Sequence, residues 1–207
     1  MLKPNGSSSS SGSSASTMTL VRYQIVLNWR QGRTFEHRFA PASASGHTGS
    51  HTCAKDVNRG WVCWGVNSHG QLGAIDGVSD CLNYPSCIKS YTLPSTFSFA
   101  SIDAGDGFSC GLEAGGRVLC WGRNDFGQLG RGFSPRYPTN VDLRTQVLPT
   151  PINSNLLFRA ISVGESHACG IARASNRVWC WGEGTNGQLG NRSLDNSALP
   201  VEVITRD

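Results

Sequence analysis

An eleven-residue motif occurs three times in this chain and constrains its fold more than any other feature. Residues 63–73 read CWGVNSHGQLG, residues 120–130 read CWGRNDFGQLG and residues 180–190 read CWGEGTNGQLG. The copies start 57 and 60 residues apart and share seven letters in fixed places. Self-similarity at such a period means one supersecondary unit, repeated and stacked. The similarity extends upstream: FASIDAG at 99–105 precedes Cys110, and FRAISVG at 158–164 precedes Cys169. Both segments alternate apolar and polar residues, the period of a half-buried strand. Each repeat therefore predicts a short antiparallel sheet of about four strands: a Phe/Ile strand, a cysteine-bearing hairpin and a strand near a late proline.

Within the motif, side-chain chemistry suggests roles. Trp64, Trp121 and Trp181 end a β run and are expected to pack between neighbouring sheets. Leu72, Leu129 and Leu189 are the only apolar side chains in their bends and are expected to point into a core. The paired glycines Gly70 and Gly73, Gly127 and Gly130, Gly187 and Gly190 read as bends where a Cβ would clash. Gly65, Gly122, Gly182, Gln71, Gln128 and Gln188 complete the repeated frame. Asn67 and Asn124 align with Gly184, and Asn and Gly both tolerate φ > 0, so the position predicts a left-handed turn residue.

Composition agrees with an all-β chain. Gly is 25 of 207 residues and charged residues are 15%, a turn-rich profile that excludes a coiled coil. The apolar runs are too short to span a membrane. The formal charge of +4 sits at one end. Lys3, Arg22, Arg30, Arg33 and Arg38 face only Glu36 there, which leaves residues 46–207 neutral. A basic nucleic-acid face on the main body has no support in that distribution.

Eight cysteines are present. Cys53 and Cys63, Cys110 and Cys120, and Cys169 and Cys180 are separated by 10, 10 and 11 positions. Each pair flanks a Gly- or Asn-bearing loop and so flanks a hairpin. Directly opposed residues of a hairpin lie about 4.5 Å apart at Cα, within reach of a disulfide. Cys81 and Cys87 fall together in the first inter-repeat connection and predict a fourth bridge. Buried thiols packing as small apolar residues are the alternative. Structural zinc needs pairs spaced Cys-x₂₋₄-Cys, and none occurs. Disulfides in turn imply an oxidising compartment.

These motifs resemble the regulator-of-chromosome-condensation repeat over roughly residues 39–207. The resemblance implies a β-propeller, usually seven-bladed, of which this chain carries a segment of three blades, incomplete as a closed ring. Its cysteine pairs depart from the nuclear members and resemble the extracellular crinkly-type repeats of plant receptor kinases. The expected organisation is a disordered Ser/Gly tract at 1–17, a strand-containing lead-in at 18–38, and repeats at about 39–97, 98–156 and 157–207. Residues 1–17 show no apolar core of a signal peptide. Residues 21–29, VRYQIVLNW, alternate cleanly and predict a strand, read first as part of an incomplete preceding blade and second as a strand pairing with a propeller edge.

Several apparent sites dissolve on comparison between repeats. GEGTNG at 182–187 matches a dinucleotide-binding glycine pattern, yet it aligns with GVNSHG at 65–70 and GRNDFG at 122–127, so it is a repeat turn. His51 and His167 precede a cysteine by two residues where the middle repeat carries Phe108, which makes the position structural. No catalytic elbow, phosphate loop or metal motif occurs. The tryptophan-bearing element of the plant UV-B photoreceptor, which shares the implied fold, is absent. Asn191-Arg-Ser193 and Asn5-Gly-Ser7 are glycosylation sequons and give weak support to a secretory route.

The expectation is a non-enzymatic protein-interaction scaffold without cofactor, metal or membrane span, secreted or at the cell surface. The alternative is a nuclear or cytoplasmic guanine-nucleotide exchange factor for a small GTPase, as the resemblance implies. Fold residues recur between repeats, so a protein partner should be met where repeats differ. Those positions are Ser68, His69, Asp125, Phe126, Thr185 and Asn186, with the connections 74–96 and 131–151. Three blades leave two open sheet faces with Trp and Leu side chains toward water, and self-association or further blades from a longer chain should cover them.

Overall fold

The structure is a computed structural model. It describes the backbone of residues 24–25, 37–44, 51–56, 58–73, 87–133 and 145–205, and the side chains of 51–56, 58–73, 90–133 and 147–205. The alternating segments form three antiparallel sheets, one per repeat. The first blade contains β1 (Gln24–Ile25), β2 (His37–Ala44), β3 (His51–Asp56), β4 (Gly60–Gly65) and β5 (Cys87–Thr92). The second contains β6 (Phe99–Ala104), β7 (Phe108–Glu113), β8 (Val118–Arg123) and β9 (Thr145–Pro151). The third contains β10 (Phe158–Val163), β11 (His167–Ala172), β12 (Val178–Gly182) and β13 (Ser197–Glu202). The described strands pair in chain order within each sheet, so among the described residues no strand crosses between blades. The whole is a β-propeller segment.

The hairpin tips turn through positive φ at Gly60 (84°), Gly116 (93°) and Asn176 (57°). This fixes the register that sets Cys53 opposite Cys63, Cys110 opposite Cys120 and Cys169 opposite Cys180. All three pairs are bonded through sulfur, with Cα atoms 4.1, 4.1 and 4.0 Å apart. Cys81 lies outside the described residues, as does the side chain of Cys87, and with them the fourth bridge. The Ser/Gly tract 1–17 also lies outside. Of the strand expected at 21–29, Gln24 and Ile25 are described, and they pair with Arg38 and His37 at the edge of the first sheet. That corrects the reading of a preceding blade: the described part adds a fifth strand to the first blade.

A β-bulge recurs at one place in each blade. The pairing between third and fourth strands slips between Cys63 and Gly65, Cys120 and Gly122, and Cys180 and Gly182. The residue inside each slip is the motif tryptophan. A bulge re-aims a side chain, and here Trp121 and Trp181 turn into the junction with the preceding blade, where both are fully buried. Two apolar clusters form at the junctions. One joins Trp61, Leu72 and Leu93 of the first blade to Phe99, Ile102 and Trp121 of the second. The other joins Leu112, Val118, Leu129 and Ile152 to Phe158 and Trp181 of the third.

Two expectations need correction. Trp64 is only half-buried, whereas Trp121 and Trp181 are fully buried. Leu189 and Trp181 of the last blade are fully buried. Among the described residues the large apolar side chains that reach solvent there are Val178, Leu194, Leu199 and Ile204, since the motif turn closes over its own leucine.

Candidate interaction surface

The three motif turns share one rigid backbone, and polar side chains of the motif build it. The first glycine pair of each turn is closed by backbone bonds: Gly70 N and Gly73 N donate to Asn67 O and Gly70 O, Gly127 N and Gly130 N to Asn124 O and Gly127 O, Gly187 N and Gly190 N to Gly184 O and Gly187 O. Gln71, Gln128 and Gln188 each accept, at 2.8 Å through Oε1, the backbone N–H two residues earlier, at His69, Phe126 and Asn186. Asn67 Oδ1 accepts from Leu72 N at 3.0 Å, and Asn124 Oδ1 from Leu129 N at 3.1 Å. This explains the asparagines differently from the sequence reading. Neither Asn67 nor Asn124 has positive φ, and neither does Gly184. The asparagines serve as side-chain acceptors within the turn. Gly184 is a glycine because a Cβ there would lie 2.0 Å from Asp195 O.

With the backbone fixed, the candidate contact positions are free to vary. Ser68, Thr185 and Asn186 are exposed; His69, Asp125 and Phe126 are half-buried. The structure gathers three of these side chains, His69, Asp125 and Phe126, and their neighbours into one cluster between the first two blades. Arg123 Nε lies 2.5 Å from Asp125 Oδ2, and its Nη1 lies 3.3 Å from Asp106 Oδ2. Its guanidinium also sits 5.7 Å above the Phe126 ring. The His69 ring packs so closely on Gly107 that a Cβ there would be 2.9 Å from its Cδ2. Burial first, then the Arg123 charge, holds the His69 pKa below its ordinary value, against an upward pull from Asp125 and Asp106. The ion pairs are partly exposed and contribute at most about 1 kcal/mol each. The position of Arg123 is Val66 in the first motif and Glu183 in the third, where Thr185 Oγ1 donates to Glu183 Oε1 at 3.0 Å. One repeated turn therefore presents apolar, basic and acidic chemistry in succession. Segments 74–86 and 134–144, parts of the two connections expected to meet a partner, lie outside the described residues.

Sequence reasoning missed how the blades lock together. Trp121 Nε1 donates to Gln71 O at 2.9 Å, and Trp181 Nε1 to Gln128 O at 3.0 Å. The invariant Gln and Trp thus meet across a junction, one repeat apart. The signal was visible as two residue types recurring together, but only their separation in space shows the bond.

His51 and Ser109 also meet across the first junction, with His51 Nε2 2.7 Å from Ser109 Oγ. The pair resembles a nucleophile and its base, but its polarity is reversed. Ser109 Oγ donates to Gln71 O at 3.0 Å, so its one proton is committed and the imidazole must be the donor. A base that is already donating cannot take the serine proton. Burial pushes the His51 pKa down to about 4. The unfolded chain takes up a proton near pH 6.5, whereas folded His51 resists until about pH 4. Stability should therefore be full above pH 6.5 and fall by about 3 kcal/mol as pH drops toward 4. Burial also lowers the His69 and His167 pKa values, so they add loss of the same sign. His51→Phe, the residue found at the aligned position 108, should remove most of that slope in denaturant melts run across this range. An unchanged slope counts against the assignment. Among the described residues no cluster of His, Cys, Asp and Glu is arranged to hold a metal ion, and no helix is long and apolar enough to cross a membrane.

Comparison with known proteins matches this architecture. Two models of the regulator of chromosome condensation (RCC1) repeat match, one over residues 99–128 and 158–188, the other over 115–171 and 175–206. The chain is 30% identical over 192 residues to the guanine nucleotide exchange factor SRM1 of Saccharomyces cerevisiae, covering 88% of this chain and 38% of that protein. It is 30% identical over 166 residues to the mitochondrial RCC1 domain-containing protein RUG3 of Arabidopsis thaliana, covering 78% and 35%. It is 34% identical over 148 residues to the probable E3 ubiquitin-protein ligase HERC4 of Mus musculus, covering 69% and 12%. The chain thus spans well under half the length of these relatives. Among solved structures, yeast RCC1 (Prp20) bound to Kap60 superposes with a TM-score of 0.68 at 24% identity, over 84% of this chain and 38% of that one. With the motif turns, the bulged tryptophans and the family match over the second and third blades in agreement, the chain belongs to the regulator of chromosome condensation (RCC1) repeat family.

Proposed function

We propose that this chain is a non-enzymatic protein-interaction scaffold that meets its partner across the motif-turn face, in a secreted or cell-surface setting. One observation carries the reading. Three turns with the same hydrogen-bonded backbone present different side chains outward, at Ser68 and His69, Asp125 and Phe126, and Thr185 and Asn186. A rigid frame with variable display is how a repeat protein builds a recognition surface. The three bonded cysteine pairs support the oxidising setting. A photo-crosslinking residue placed at 126 or 186 should yield discrete adducts with one partner protein in the producing cells. The same probe at the exposed Ser175 of the opposite hairpin end should not. Equal labelling from all three positions counts against the turn face.

A second reading is supported by the 88% of this chain that aligns with SRM1. Under it the chain would accelerate nucleotide release from a small GTPase, and Gsp1p, whose binding is named with the yeast Prp20p structure, is the protein to try. Release of labelled GDP from Gsp1p, with and without the chain, separates the two. The scaffold reading expects no acceleration.

A further inference from the structure

Residues 46–207 are neutral as a sum, but the fold separates their charges. Each blade has two ends. One carries the motif turn; the other carries the tip of the cysteine hairpin, at 56–60, 113–118 and 172–178. Among the described side chains the hairpin end holds six cations, Lys55, Arg59, Arg117, Arg159, Arg173 and Arg177, and all six are exposed. It holds three acids, Asp56, Glu113 and Glu202, and none of them is exposed. The motif-turn end holds Arg123, Arg131 and Arg192 against Asp103, Asp106, Asp125, Glu165, Glu183 and Asp195. The two ends therefore carry +3 and −3. The other charged residues of 46–207, outside the described side chains, are four cations and four acids and cancel. Residues 1–45 add +4, the sign of the hairpin end.

Local structure explains why this end shows positive charge alone. Asp56 is 2% exposed and serves inside its own turn, where Oδ1 accepts the backbone N–H groups of Asn58 and Arg59 at 2.8 Å each. Glu113 accepts from Arg117 Nε at 2.8 Å, and its side chain is 16% exposed against 61% for the arginine. Glu202 pairs with Arg177, again with the guanidinium the more exposed partner. Arg173 reaches across the second junction. Its Nη2 donates to Ala114 O at 3.1 Å, and a Cβ on Gly116 would lie 3.3 Å from its Cζ. The tip of the second blade thus holds two guanidinium groups, its own Arg117 and the third blade's Arg173. The residues beside them are small: Ala114, Gly115, Ala174 and Ser175 are exposed, and a Cβ on Gly115 would meet nothing within 4 Å. A polymer lying on these tips can come close to the cations.

We propose that the hairpin end binds an extended sulfated polysaccharide. The cations come from all three blades, so a chain of anions meets them together where a single phosphate cannot. Five of the six are arginines, whose planar donors grip oxyanions in pairs. Single-stranded nucleic acid fits less well, because every described aromatic ring at this end is buried or half-buried and none offers a platform for bases. The choice of a sulfated glycan, a polyanion of the extracellular space, rests on the oxidising setting proposed above. The motif-turn end carries the opposite charge and repels the same ligand, so this site is distinct from the one that meets a protein partner.

Binding of the purified 207-residue chain to heparin, measured across salt concentrations, tests the proposal. The wild-type chain should bind at physiological ionic strength, with log affinity falling linearly as log salt rises. Lys55→Gln, Arg59→Gln and Arg159→Gln combined should weaken binding at least about tenfold, and should melt as the wild type does because all three side chains are exposed. Arg123→Gln, Arg131→Gln and Arg192→Gln combined remove the same charge from the other end and should leave affinity within about threefold. If that control does not melt cooperatively, Arg192→Gln alone is compared with Arg59→Gln alone. Heparin should bind more tightly than a short DNA duplex or phosphatidylserine–phosphatidylcholine vesicles at equal anion concentration. Absence of heparin binding overturns the proposal. So does affinity unchanged in the hairpin-end variant, which would place binding on the cations of residues 1–45, or an equal loss in the control. Tighter binding of the duplex or the vesicles also overturns it, since the ligand would then be a nucleic acid or a membrane. None of these outcomes bears on crosslinking from the motif turns, so the two proposals fail separately.

Discussion

Reduction of the native protein is expected to unfold it. The Cys53–Cys63, Cys110–Cys120 and Cys169–Cys180 bridges close loops of sequence separation 10, 10 and 11. Loops of that length contribute about 2.7 kcal/mol each in the chain-entropy description, or about 8 kcal/mol together. An ordinary domain has about 5–15 kcal/mol in all, and a segment whose third blade is partly uncovered belongs at the low end. Denaturant melts with and without reductant measure the difference. Alkylation in denaturant without reductant separates bonded cysteines from merely buried ones: none of the six should label. Six labelled thiols, or a melt indifferent to reductant, would sink both the bridges and the argument for an oxidising compartment.

The same bridges show why so much of the fold was legible. A hairpin with cysteines ten residues apart around a glycine has one register that opposes them, so spacing alone determined the ladder. The Phe/Ile alternation located β6 and β10 for the same reason: period two leaves no choice of face. Trp121 was placed between sheets correctly, but its mechanism was not visible. The bulge between Cys120 and Gly122 is a property of pairing with β9, and β9 is separated from β8 by a long connection with no repeat signal.

The misreadings have one origin, treating a residue by its intrinsic tendency when its neighbours decide. Asn124 tolerates φ > 0, yet its side chain finds a better use holding Leu129 N. Gly184 suggested backbone freedom, yet it answers to the Asp195 carbonyl against it. Trp64 sits in the same motif frame as Trp121, yet it is half-buried where Trp121 is fully buried. The variable turn positions were legible as a set because they differ where the frame does not. The Arg123 cluster was not, since Asp106 joins it from the loop after β6, outside the motif.

The tryptophans should respond to truncation according to the blades around them rather than their shared motif. Trp121→Ala and Trp181→Ala each empty a fully buried site, which costs about 3–5 kcal/mol for a large aromatic. Each also removes the indole donor from Gln71 O or Gln128 O, so it loosens the junction as well as the core. Trp121→Phe keeps most of the packing and should lose closer to the 1 kcal/mol or so of a hydrogen bond. Trp64→Ala should cost less in dilute solution, about 1–2 kcal/mol, because a half-buried side chain removes less area from water. A Trp121→Ala protein with the wild-type melting temperature would show that the residue does not lock the junction. Denaturant melts of the three alanine variants side by side measure these costs, and a Trp64→Ala protein that loses as much as Trp121→Ala would show that half-burial does not set the difference.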